Sequence, residues 1–166
     1  MATAGVLTAM TVVMTAFTKI PTPLVHGYFN LGDTVILIAG VLFGGFTGAF
    51  VGAVGSAAAD LMTGSYLFAP ITLIVKGLEG YVVGRIANGN RRGRMLIALG
   101  TGVFIMVAGY FMAEATILSL FDSTFGIGAA IVELPVNLLQ GGISIVIARV
   151  AIEGLRRAGI FTSKST

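Results

Sequence analysis

The chain has 166 residues, of which 56% are hydrophobic and only 10% charged, where an ordinary soluble domain carries about 25% charged residues; with a mean hydropathy of +0.99 it reads as an integral membrane protein. The absence of cysteine and the single histidine, His26, exclude disulfides, thiolate chemistry and an imidazole-rich metal site. The net charge of +3 comes from basic residues set beside apolar runs, which is a topology signal and argues against a nucleic-acid partner.

Residues 4–18, AGVLTAMTVVMTAFT, predict a first helix, stopped by Lys19, Pro21 and Pro23. No basic stretch precedes this run, so it is expected to remain as a span and not to be removed as a signal peptide. Small residues recur on it four apart: Ala4 with Thr8, Gly5 with Ala9, Thr11 with Thr15. That spacing lets another helix approach closely, from the same bundle or from a partner subunit. Residues 19–32, KIPTPLVHGYFNLG, form a stiff polar loop in which His26, Tyr28, Phe29 and Asn30 can stack and hydrogen-bond. It reads either as the cap of a site or as a connector.

Residues 33–62 are apolar between Asp33 and Asp60, with Gly40, Gly44, Gly48 and Gly52 in a four-residue row. Their length exceeds one straight crossing and falls short of two. Two short, tightly packed helices joined near residues 43–47 are expected, with one long tilted helix as the alternative. Asp60 is either a structural acceptor or a site residue. After the turn at 63–69, Pro70 suits the first position of a helix running to Arg85, and this helix carries Lys76 and Glu79 one turn apart on one face. Charges inside a membrane helix normally face protein, water or ligand.

A basic stretch at Arg91, Arg92 and Arg94 precedes a fifth span over 95–120, and a sixth over 128–150 is followed by a second basic stretch including Arg156, Arg157 and Lys164. Two spans separate the clusters, so both are expected on the cytoplasmic face. Six spans would use nearly the whole length at roughly 20 residues each, as a single transmembrane domain over 1–166.

Orientation then gives depth. Counted from the outer ends at about 1.5 Å per residue, Lys76, Glu79, Tyr110, Glu114, Glu133, Asn137 and Gln140 fall roughly 8 to 18 Å deep. They come from three helices, and Glu133, Asn137 and Gln140 share one stripe at i, i+4, i+7 spacing, with Pro135 loosening the backbone between them. The inference is a polar cavity open to the outside and closed toward the cytoplasm. One lysine cannot neutralise three glutamates, so the remaining carboxylates call for a proton, a cation or ligand donors. Internal hydrogen bonding alone, Lys76 with Glu79 or Glu114 and Asn137 with Gln140, is the structural alternative. Such a cavity suits a small molecule rich in hydroxyl or amino groups, with tyrosine and phenylalanine available to stack on a flat ring. No metalloprotease, nucleophile-elbow or phosphate-loop motif occurs, so no enzymatic activity is expected and nucleotide would have to be bound by another subunit.

The run YFNLGDTVILIAGVLFGGFTGAFVGAVGSAAADL at 28–61, followed by APITLIVKGLEGYVVGRI at 69–86, resembles the substrate-binding S component of energy-coupling factor (ECF) vitamin transporters. The resemblance covers most of the chain and looks closest to the branch for vitamin B6 compounds or the hydroxymethylpyrimidine precursor of thiamine; riboflavin binders share the plan but differ around Asn30–Asp33. It implies an all-α, six-helix membrane bundle with short second and third helices and both termini cytoplasmic. It further implies an outward vitamin site, no cofactor in this chain, and partners comprising a membrane coupling subunit (T component) and two cytosolic ATPases. The candidate substrate-binding set is His26, Tyr28, Asn30, Asp33, Asp60, Lys76, Glu79, Tyr110, Glu114, Glu133, Asn137 and Gln140. The family's A-x-x-x-A docking motif is matched only approximately, by Ala4 with Thr8 and Gly5 with Ala9. A stand-alone transporter in which Glu79, Glu114 or Glu133 carries protons, and a membrane scaffold, are the competing readings.

Overall fold

The computed structural model describes residues 2–22, 27–87 and 92–161. Among them lie six α-helices: α1 (Ala2–Phe17), α2 (Gly32–Phe43), α3 (Gly45–Met62), α4 (Ala69–Ala87), α5 (Arg92–Met112) and α6 (Ile127–Arg157). A π-helical turn at Ala113–Ile117 and a 3-10 turn at Leu118–Leu120 prolong α5. The all-α six-helix membrane bundle expected from the sequence is thus the fold. Residues 33–62 do divide into two helices, of 12 and 18 residues. The break falls on Gly44, whose φ of 88° is a conformation that only glycine adopts without strain.

The first loop holds more structure than the sequence suggests. β1 (Ile20–Pro21) pairs antiparallel with β2 (Tyr28–Phe29), Ile20 opposite Phe29 and Pro21 opposite Tyr28. Tyrosine and phenylalanine favour strands, and proline is tolerated on an edge. α6 is also longer than expected. It continues past residue 150 to Arg157 because Gly154 does not break it and the chain turns only at Gly159, where φ is 74°.

α2 is the axis of the bundle and packs against α1, α3, α4, α5 and α6. After Asp33 it has no charged residue, and a helix apolar all round must be enclosed. One end of the bundle is dry. There Leu37, Val83, Met95, Leu99, Met106, Ala148 and Ile152 form a continuous core, and Phe43 meets Phe161 edge-on with ring centroids 5.2 Å apart. Arg85, Arg94 and Arg157 lie at this end, with the start of α1 and the finish of α6. The hairpin covers the other end.

α3 and α4 meet backbone to backbone. A Cβ on Gly80 would run into the Gly48 carbonyl, one on Gly52 into the Lys76 carbonyl, and one on Gly84 into Gly45. Small residues at such crossings allow helices to approach closely in a bilayer, and the approach carries Lys76 into the centre of the molecule. Replacing Gly80 by leucine is therefore expected to cost about 3 kcal/mol, the upper end for overpacking, because fixed backbone stands in the way. That corresponds to a Tm fall of roughly 6–12 °C in detergent. Gly142→Leu, where nothing lies within 4 Å of the added Cβ, is expected to leave Tm unchanged.

Among the described residues, three helical segments are long and apolar enough to cross a membrane: 18 residues of α3, 28 of α5 with its two turns, and 31 of α6. Large apolar side chains such as Phe46, Phe104 and Leu139 face outward, as a lipid environment requires. The two small-residue registers on α1 diverge. Ala4 and Thr8 are half-buried, and the Thr8 carbonyl faces Gly55 of α3, whereas Gly5 and Ala9 are exposed and nothing lies near the place of a Gly5 Cβ.

Candidate substrate cavity

The site forms where the hairpin closes over the ends of α2, α4, α5 and α6. α6 buries one stripe, Glu133, Asn137, Gln140, Ser144, Ala148 and Ile152, which is polar near the hairpin and apolar at the dry end. A single helix face thereby supplies both the wall of a cavity and the seal beneath it. Glu114 arrives from α5 inside the π-helical turn. Such turns insert one extra residue and re-aim the side chains around them, frequently at functional sites, and Glu114 is buried as a result.

An open-mouthed cavity lies between these elements. Tyr28 and Asn30 line it from the hairpin side, Tyr110 and Glu114 from α5, and Glu133, Asn137 and Gln140 from α6. Gly27, Phe68 and Thr72 complete the wall, and none of these three stood out in the sequence. Thr72 had a faint signal, since it precedes Lys76 by one turn on the buried face of α4. Phe68 meets Phe125 edge-on with centroids 5.5 Å apart and lies tilted against Tyr110 at 6.4 Å, and Thr72 and Tyr110 share a hydroxyl hydrogen bond of 2.9 Å.

Asp33, Lys76 and Glu79 lie beneath this wall, not in it. Lys76 Nζ donates to Asp33 Oδ1 and, at 3.2 Å, to Glu79 Oε2. Gln140 Nε2 donates to Asp33 Oδ2 at 2.7 Å, while Gln140 Oε1 accepts from the Asn30 backbone N–H at 2.7 Å. Lys76 is thus committed to Asp33 and Glu79. The sequence suggested Glu79 or Glu114 as its partner and did not find Asp33, 43 positions away.

With that lysine consumed, Glu114 and Glu133 face the cavity with no ion pair to either among the described residues. Glu114 Oε2 has no hydrogen-bond partner there, and Glu133 accepts from the Thr22 hydroxyl of the hairpin. The Glu133 carboxylate fills the space where a side chain at Gly27 would be, which explains a glycine at that point of the hairpin.

Asp60 stands behind the wall and accepts from the Tyr28 hydroxyl. Burial, reinforced by the Asp60 charge, pushes the Tyr28 phenol well above its ordinary pKa, so it remains a donor. Lys19 at the foot of the hairpin is lowered by burial, an effect that Asp60 partly offsets. His26 lies outside the described residues.

A family model described as "ECF-type riboflavin transporter, S component" matches residues 1–157. The chain belongs to the S-component family of ECF transporters. Members of that family are transport subunits, not enzymes, and work with a membrane T component and ATPases. Two relatives extend the comparison. The S component is 38% identical over 136 residues to a Pyrococcus woesei protein named "Uncharacterized protein in gap 3'region", covering 81% of this chain and 86% of that one. It is 31% identical over 159 residues to the "Thiamine precursor transporter HmpT" of Lactococcus lactis subsp. cremoris strain MG1363, covering 94% of this chain and 87% of that protein.

Proposed function

We propose that this S component captures a single-ring vitamin precursor of the hydroxymethylpyrimidine class from outside the cell and passes it to an ATP-driven coupling module. The observation that carries the reading is the cavity itself: two carboxyl groups, Glu114 and Glu133, unpaired with any cation among the described residues, beside the aromatic walls of Tyr28, Phe68 and Tyr110. An aminopyrimidine presents an amino donor next to a ring-nitrogen acceptor, and a carboxyl group can answer both. Its flat ring stacks on tyrosine or phenylalanine. The likeness to the thiamine precursor transporter supports the same class. Pyridoxine, another single ring bearing hydroxyl groups, is the second reading.

We read the basic residues at the dry end as marking the cytoplasmic side; on that reading the start of α1 and the finish of α6 are cytoplasmic, and the hairpin and cavity face outward. The exposed Gly5 and Ala9 side of α1 is the surface we assign to docking on the T component, since Ala4 and Thr8 already face α3.

Thermal-shift and calorimetric titration of the purified chain, without ATP or partners, tests this reading. Hydroxymethylpyrimidine is expected to raise Tm and bind more tightly than pyridoxine, with riboflavin weakest. Tight riboflavin binding with no response to either single-ring compound would refute it.

A further inference from the structure

Asp60 is fully buried near the end of α3 but takes no part in the cavity lining. Its Oδ1 accepts from the Tyr28 hydroxyl, and its Oδ2 has no hydrogen-bond partner among the described residues. Tyr28 is gripped a second time. Lys19 Nζ lies 4.1 Å from the centre of its ring, within the range of a cation–π contact. The same ammonium donates to Thr63 Oγ1 at 2.9 Å and Ser65 Oγ at 2.7 Å. Both grips are therefore fixed to the corner between α3 and α4, while the tyrosine they hold belongs to β2 and forms part of the cavity wall.

We propose that Asp60 and Lys19 are positioning residues that hold Tyr28, and with it β2, in place as a wall of the cavity, and that neither touches the substrate. The proposal rests on this cavity being the substrate site, as argued above. It gives the buried Asp60 carboxylate a purpose that substrate contact cannot, because Tyr28 stands between it and the cavity. It also explains why Lys19 spends its hydrogen bonds on Thr63 and Ser65 instead of an acidic group.

Hydrogen exchange at residues 27–31, read by mass spectrometry on the ligand-free protein in detergent, tests the latch independently of any substrate. Asp60→Ala and Tyr28→Phe are each expected to speed exchange there about tenfold, the equivalent of one charge-assisted hydrogen bond. The double variant should exchange no faster than Tyr28→Phe alone, since both changes remove one interaction. Asp60→Asn keeps an acceptor for the phenol and is expected to restore slow exchange. Lys19→Met, which leaves the buried carboxylate in place, supplies a second arm with the same acceleration expected. Unchanged exchange in both Asp60→Ala and Lys19→Met, or effects of Asp60→Ala and Tyr28→Phe that multiply, would overturn the proposal. In a parallel titration with hydroxymethylpyrimidine, the same pair should weaken affinity by similar, non-multiplying factors. If the unmodified chain fails to bind that compound, the functional reading falls while the exchange experiment still decides the latch.

Discussion

Lys76→Ala is expected to be the most destabilising single substitution in the protein. Lys76, Asp33 and Glu79 are all essentially excluded from solvent, and removing the one cation leaves two carboxylates facing each other in a low-dielectric interior. Breaking a buried pair in this way costs about 3–5 kcal/mol, which for a chain of this size is a Tm loss of roughly 10 °C or more. The loss should come from the stranded charges more than from the missing side chain. A triple variant carrying Lys76→Met, Asp33→Asn and Glu79→Gln is therefore expected to recover most of the lost Tm, because well-packed neutral groups replace buried ion pairs at little cost. A melting point for Lys76→Ala within about 2 °C of the parent, less than 1 kcal/mol on this scale, would show that the triad is not a buried charge network.

Glu133→Ala is expected to have the largest effect on ligand binding with a smaller effect on folding. Its carboxylate lies at the cavity wall, where it accepts from the Thr22 hydroxyl of the hairpin. Removing a charged acceptor from a ligand donor costs about 1.5–3 kcal/mol, so the dissociation constant should rise roughly 10- to 150-fold. Glu133→Gln, which keeps the shape and one acceptor, should fall between. Ser144→Ala, lower on the same buried stripe of α6, should leave affinity unchanged. Calorimetric titration of the three variants checks the order. Equal losses for Ser144→Ala and Glu133→Ala would mean that the helix as a whole, and not this carboxylate, governs binding.

What the sequence could reveal follows from the distance over which each feature is encoded. The polar stripe of Glu133, Asn137 and Gln140 was legible because helical periodicity repeats within a few residues, and the division of 33–62 was legible because glycine marks a place where a helix can stop. Asp33 as the partner of Lys76 was not, since the pairing depends on the approach of α4 to α2 through glycines whose contacts no local pattern specifies. The π-helical turn that re-aims Glu114 escaped notice because its sequence, AEATI, is as compatible with an ordinary helix. Asp60 was singled out as an acceptor or a site residue, and only the fold places Tyr28 in front of it.

The brevity of α2 has a consequence of its own. At about 1.5 Å per residue, its 12 residues make a rod of roughly 18 Å in a protein whose surroundings are roughly 30 Å of hydrocarbon. The cavity is lined by Asn30, just before the first turn of this rod, and by Gln140, which binds the Asn30 backbone N–H. One helical turn added at that end would wind up the segment that carries Tyr28 and Asn30 and take both out of the wall they form.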